Sequence, residues 1–145
     1  MDDLVQEMKV CLASTFAFYL KAHNFHWNVE GQNFPQYHSF FEGIYTDAWN
    51  AVDGLAEHIR TLNAYAPGSF ARYSELSLVN DEVNIPSAMT MVSKLLEDNI
   101  AIITQLTKTQ ADAESQKKMG LANYLQDRID IHEKHSWMLR ATQKA

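Results

Sequence analysis

Four long stretches of this chain carry apolar residues at helical spacing, and all three prolines fall at their starts or between them. The stretches run from about Leu4 to Trp27, from Pro35 to about Ala64, from about Ser87 to Ala111 and from about Lys117 to Thr142. Pro35 suits the first turn of a helix, while Ala66-Pro67-Gly68-Ser69 and Pro86 punctuate the connection that follows. Phe70 to Leu78 is predicted to form a short helix inside that connection. The connection is long for neighbouring antiparallel helices, and it fits a crossover that carries the chain from one end of a bundle to the other. The expected fold is therefore all-α: a four-helix bundle with a short extra helix between helices two and three.

The first helix carries two stripes, Val5, Met8, Leu12, Phe16 and Tyr19 on one side and Cys11, Phe18 and Phe25 on another, so burial on two faces is predicted. On the second, Tyr37, Phe41, Ile44, Tyr45, Ala48, Val52, Leu55 and Ile59 form one arc. The third is expected to bury Met89, Val92, Leu96, Ile100, Ile103 and Leu106, and the fourth Leu121, Leu125, Ile129, His132, His135 and Leu139. No internal repeat or change of composition divides the 145 residues, which are read as one domain, 1–145. A chain of this length buries roughly two thirds of its unfolded surface and folds without staples.

A net charge of −6 argues against a surface built to hold nucleic acid or anionic lipid, because phosphate affinity comes largely from clustered Lys and Arg. The amino-terminal Met1-Asp2-Asp3-Leu4 is acidic, and the last residues offer only Arg140 and Lys144. Cys11, the only cysteine, is read as a reduced, packed thiol. The apolar run from Val10 to Leu20 is too short for a membrane span or signal peptide, so a cytoplasmic location is expected.

Chemistry concentrates on the second helix. His38 with Glu42 and Asp53 with Glu57 are i,i+4 pairs lying beside the apolar arc, with Trp49 and Ala56 on their side. At 1.5 Å rise per residue the pairs stand about 22 Å apart, whereas metal–ligand bonds are near 2 Å. No single ion reaches both. A second copy lying antiparallel, related by a two-fold axis near Asp47 and Ala48, would set His38 and Glu42 of one chain against Asp53 and Glu57 of the other, giving two equivalent sites per dimer. His26 ends the first helix and His38 begins the second, so a hairpin brings them to the same end. Spacing does not choose between His26 and His23 as a further ligand, although a packed histidine is the simpler role for His23. Such imidazole and carboxylate sets suit iron, zinc or manganese, and carboxylate-rich ones favour iron that cycles between Fe(II) and Fe(III). No Glu-x-x-His occurs, the motif a di-iron centre inside one bundle takes from two helices, so His132 and His135 are expected in the core and His58 on the solvated side.

The string His23-Asn24-Phe25-His26-Trp27-Asn28-Val29-Glu30-Gly31, with Asn33-Phe34, Tyr37-His38-x-x-Phe41-Glu42 and Asp53-x-x-x-Glu57, resembles the Dps family of mini-ferritins. Tyr73-Ser74-Glu75-Leu76-Ser77 and the run from His132 to Arg140 match as well. The resemblance implies a ferritin-like subunit assembled from two-fold dimers into a hollow homododecamer. It implies ferroxidase sites between subunits, with His26, His38 and Glu42 from one chain and Asp53 and Glu57 from its neighbour as ligands of one or two irons. Zn or Mn are possible substitutes in such a site. Glu42 stands where many members carry Asp, and Trp27 corresponds to an aromatic thought to supply electrons. The implied reaction is oxidation of Fe(II) with hydrogen peroxide, or more slowly dioxygen, followed by ferric storage and protection from oxidative damage. Members that bind DNA generally use Lys/Arg-rich tails, which this sequence lacks, so direct DNA binding is not expected. The competing readings are a helical scaffold with merely solvated acids, a DNA-binding structural cage, and a zinc or manganese cage without ferroxidase activity.

Overall fold

Gly31 at φ 99° and Asn33 at φ 67° reverse the chain between the first two helices, in the left-handed region where glycine and asparagine are least strained. The computed structural model of the protein describes Asp2–Lys144; Met1 and Ala145, the ends of the expected 1–145 unit, lie outside the described residues. Five helices follow one another: α1 (Asp2–Asn28), α2 (Phe34–Thr61), α3 (Phe70–Leu76), α4 (Ala88–Ser115) and α5 (Met119–Thr142). No strand occurs among the described residues. This is the all-α bundle with a short helix in the crossover that the periodicity predicts.

The four long helices close into a ring. α1 packs along α2, α4 along α5, and α1 also lies against α4. The remaining side, α2 against α5, is joined by Arg128 with Asp47 and by the Tyr124 hydroxyl donating to the Ala51 carbonyl at 3.2 Å. Both stripes of α1 are used: Met8, Leu12, Cys11, Phe18 and Phe25 are all buried. Lys21 Nζ reaches Asp98 at 2.8 Å and ties α1 to α4. α3 lies on the outer side of α1, where Tyr73 packs on Phe16 with ring centroids 4.8 Å apart.

Backbone chemistry explains where helix ends differ from expectation. α2 stops at Thr61 rather than near Ala64 because Asn63 turns left-handed, with its N–H bonded to Arg60 O and that of Ala64 to Ile59 O. α4 runs a turn past Ala111, carrying Ala113 fully into the core, before Lys117 at φ 61° closes it with the same pair of bonds. α3 ends at Leu76, short of Leu78, because the Ser14 hydroxyl takes the Leu78 N–H at 2.9 Å and holds that segment extended against α1. The stripe read for α4 is rotated. Met91, Leu95, Asn99 and Ile102 are buried with Val92 and Leu106, whereas Met89 and Ile100 are exposed. α4 carries apolar residues on more of its circumference than one chain covers, so periodicity alone marked a neighbouring stripe.

The middle of the bundle is polar. Asp47 accepts two hydrogen bonds from the Arg128 guanidinium, at 2.8 and 2.9 Å, and a third at 2.9 Å from His135 Nε2. Asn99 donates through its amide to the His132 carbonyl and to Ser136 Oγ, both at 2.7 Å, so its Oδ1 faces His132 Nδ1 at 2.6 Å as an acceptor. His132 is thereby a neutral Nδ1–H imidazole whose Nε2 accepts from Arg128 at 3.0 Å. Burial, with Arg128 next, holds His132 well below its ordinary range. Burial alone would raise Asp47, but the bonds from His135 and Arg128 outweigh it and hold the carboxyl far below the usual carboxylate range. Both last-helix histidines are thus core groups, as expected. Cys11 is a free, buried thiol pushed up to about 12 by burial, which makes it inert as a nucleophile.

Candidate metal centre

The α1–α2 turn is stapled by the residues it brings together. His26 Nδ1 lies 2.7 Å from the His38 carbonyl, and His38 Nδ1 lies 2.8 Å from the His26 carbonyl. A carbonyl only accepts, so each Nδ1 carries hydrogen and donates it. In the neutral rings the lone pair then resides on Nε2, the tautomer and orientation a metal-binding imidazole needs. The two rings stack, with centroids 3.7 Å apart and planes 18° from parallel. His26 is buried and His38 half-buried, so neither ring is free to swing. Below them Val29 is buried and donates its N–H to Phe25 O at 2.9 Å, which fixes the chain as it leaves α1.

His23, the rival ligand, is held elsewhere. Its ring lies between Tyr45, stacked at 3.8 Å and 10°, and Trp27 at 3.9 Å, while its Nδ1 meets the Tyr19 hydroxyl at 2.9 Å. Burial lowers its pKa, with His26 adding to the effect and Glu42 opposing it. Tyr45 also stands edge-on to His26 at 5.0 Å. Tyr19 and Tyr45, which periodicity places in the apolar stripes of α1 and α2, thus enclose an imidazole as well as packing against the core. The signal was present in the 19, 23, 27 spacing, which puts Tyr19, His23 and Trp27 on one stripe of α1.

The carboxylates all lie on exposed positions of α2. Glu42 is one turn beyond His38, at the same end as the imidazoles. Asp53 forms one wall of a shallow depression with Trp49, Asn50, Val52 and Ala56, and Glu57 follows a turn later. Trp49 is 54% exposed beside these acids. Arg60, the one base near them, is engaged elsewhere, donating to the Ala64 carbonyl at 3.0 Å and lying over the Tyr65 ring at 4.8 Å. His58 departs from expectation: it is half-buried and packs on Tyr124 with centroids 4.6 Å apart. Among the described residues, no three His, Cys, Asp or Glu side chains converge on a point within the one chain. The structure unites His26 and His38 with Glu42 alongside, and leaves Asp53 and Glu57 further along the helix.

Residues 8–144 match the family model of the ferritin-like domain. The chain is 34% identical over 131 residues to a DNA protection during starvation protein of Brevibacillus brevis, across 90% of this chain and 87% of that one. The chain belongs to the Dps branch of the ferritin-like family. A crystal structure of Dps from Staphylococcus aureus superimposes with a TM-score of 0.95 at 30% identity, covering 100% of this chain and 97% of that one. Dps from Vibrio cholerae, described as a member of a broad superfamily of ferritin-like diiron-carboxylate proteins, gives 0.94 at 29% identity over 99% of this chain and 90% of that one. Membership implies iron binding, which the imidazole and carboxylate donors on α1 and α2 suit. No described helix of this Dps-family chain is long and apolar enough to cross a membrane.

Proposed function

We propose that this protein is a mini-ferritin that oxidises Fe(II) with hydrogen peroxide, or more slowly dioxygen, at sites shared between two copies of the chain. His26, His38 and Glu42 come from one copy and Asp53 and Glu57 from the other, with one or two irons per site. The observation that carries this reading is the reciprocal bonding of His26 and His38, which turns both Nε2 lone pairs into ligands without a partner chain having to orient them. The exposed aromatics support a covering neighbour: Trp27 and Trp49 are more than half exposed on the same two helices.

Carboxylates favour the higher charge of Fe(III), so binding Asp53 and Glu57 beside the imidazoles lowers the cost of oxidation. Two irons at one site consume a two-electron oxidant without releasing hydroxyl radical. Ferric product is then stored inside a hollow dodecamer built from the dimers, which protects the cytoplasm by removing iron and peroxide together. With a net charge of −6, DNA is spared indirectly rather than by contact.

Subunit mixing tests the sharing. Asp53→Ala and His26→Ala proteins are each expected to lose ferric absorbance growth with peroxide. Co-assembled, they regain part of it, because one site in each mixed dimer draws both halves from intact positions. A mixture as inactive as its parents, or an Asp53→Ala protein as fast as the wild type, would sink this reading and favour the scaffold.

A further inference from the structure

Phe34, His38 and Glu42 follow one another at i,i+4 spacing on α2, so they share a stripe of that helix. The Phe34 ring lies 5.0 Å from the His38 ring, centroid to centroid, and 33° from parallel. His26 covers the other face of His38 at 3.7 Å, which places that imidazole inside a stack of three rings. The two histidines are held unequally. His26 is buried and meets Tyr45 edge-on at 5.0 Å, whereas the outer face of half-buried His38 is covered by Phe34, itself 39% exposed. Phe34 is set in place by the chain around it: Asn33 before it is left-handed, Pro35 follows, and its own N–H donates to the Gly31 carbonyl at 3.2 Å. The stack also divides the work of the imidazoles. Their planes are 18° from parallel, so an ion bonded at about 2 Å within the plane of one ring lies outside the plane of the other. Each histidine therefore addresses its own ion.

We infer that Phe34 is the positioning residue of the His38 half of the centre: it sets how tightly an ion beside His38 and Glu42 is held and leaves the ion beside His26 unchanged. The inference rests on the ferroxidase reading above. The Nδ1–H of His38 donates to the His26 carbonyl at 2.8 Å, and that bond is what directs the Nε2 lone pair. With the Phe34 ring over it, the bond is shielded on its solvent side. With a methyl group in place of the ring, water reaches the carbonyl and competes for it, and the imidazole gains rotamers that a bound ion must again restrict. The matching bond from His26 Nδ1 to the His38 carbonyl, at 2.7 Å, lies on a buried ring and does not depend on Phe34. Loss of Phe34 therefore falls on one ion of the two.

The test is titration of the iron-free, assembled protein with Co(II), whose visible absorbance reports its ligands, with His26→Ala and His38→Ala identifying which ion belongs to which ring. Phe34→Ala is expected to weaken the His38-dependent ion by about ten- to a hundredfold, the usual cost of losing a group that orients a ligand, and to keep the His26-dependent ion at wild-type affinity. Phe34→Tyr, which restores a ring, should restore both. Wild-type binding by Phe34→Ala, equal weakening of the two ions, no recovery in Phe34→Tyr, or loss of the same single ion in both histidine variants overturns the inference. Absence of any Co(II) binding by the wild type would instead sink the ferroxidase reading. The metal-free protein then decides alone, through deuterium exchange at the C2–H of each histidine ring followed by mass spectrometry. Exchange at His38 should be several-fold faster in Phe34→Ala with His26 unchanged, and an unchanged His38 overturns the assignment.

Discussion

At Gly54 the space for a side chain is already taken. A Cβ built there falls 2.5 Å from the Tyr124 hydroxyl and 3.0 Å from its Cζ, so the ring that bridges α5 to the Ala51 carbonyl is accommodated only because α2 has no side chain at this point. Gly54→Ala is expected to destabilise the protein by about 1–3 kcal/mol, the usual range for overpacking, read as a lower urea midpoint. Arg128 sets a second constraint. Removing it leaves buried His132 Nε2 without its donor and half-buried Asp47 with His135 alone, and Arg128→Leu should cost about 3–5 kcal/mol in the same measurement. Asp47→Asn is expected to cost less, because an amide still accepts from Arg128. That His26 and His38 meet was legible from sequence as a shared end of a hairpin. Their tautomers were not, since the bonds that set them run to backbone carbonyls, which every residue has. His23 stayed ambiguous for a different reason: spacing alone does not show that the Tyr19 hydroxyl and the Tyr45 and Trp27 rings enclose it.

Among the elements, α2 was the most readable, because one face is core and the other holds titratable residues, and the contrast survives even though two glycines interrupt it. α4 was misread in phase. Met89 and Ile100 are as apolar as Met91 and Ile102, and only packing against α1 and α5 tells them apart. The start of α4 was set by local chemistry: Ser87 takes the Thr90 N–H on its hydroxyl at 3.3 Å and donates to Thr90 Oγ1 at 2.9 Å. Ser87→Ala is expected to lower stability by ~1 kcal/mol, seen as a shift in thermal midpoint with no change in the helical content of the folded protein. The crossover before it is anchored rather than loose, with Lys94 paired to Glu82 and the Leu78 amide held by Ser14. Such anchoring was invisible in a segment whose composition reads as turn and loop.

For the molecule as a whole, acid is the expected weakness. His132 ordinarily titrates near 6.5 but is held well below that in the fold, so beneath pH 6.5 the unfolded chain binds a proton that the native one refuses. Stability present above that pH is lost as it falls. Asp47 adds a second loss, beginning near its ordinary value of 3.8 and continuing lower, because its native pKa is depressed. The thermal midpoint of metal-free protein should therefore be flat above neutrality and decline from pH 6.5 to 5, and His132→Gln should flatten that decline. A midpoint that rises on acidification would refute the buried, neutral assignment. At the same scale, the negative net charge predicts no retardation of duplex DNA at physiological salt, and a shift that survives such salt would refute that prediction.

The guanidinium of Arg128 has one more effect, which follows from its being unable to lose its charge. A permanent positive ion is built into the seam between α5 and α2, with the Asp47 carboxylate committed to it. The pair is neutral as a unit, so the seam between α2 and α5 offers a cation no unpaired carboxylate, whereas the acids Glu42, Asp53 and Glu57 lie open on the exposed positions of α2. Any cation drawn to those acids is therefore met at the surface of the bundle rather than in its middle.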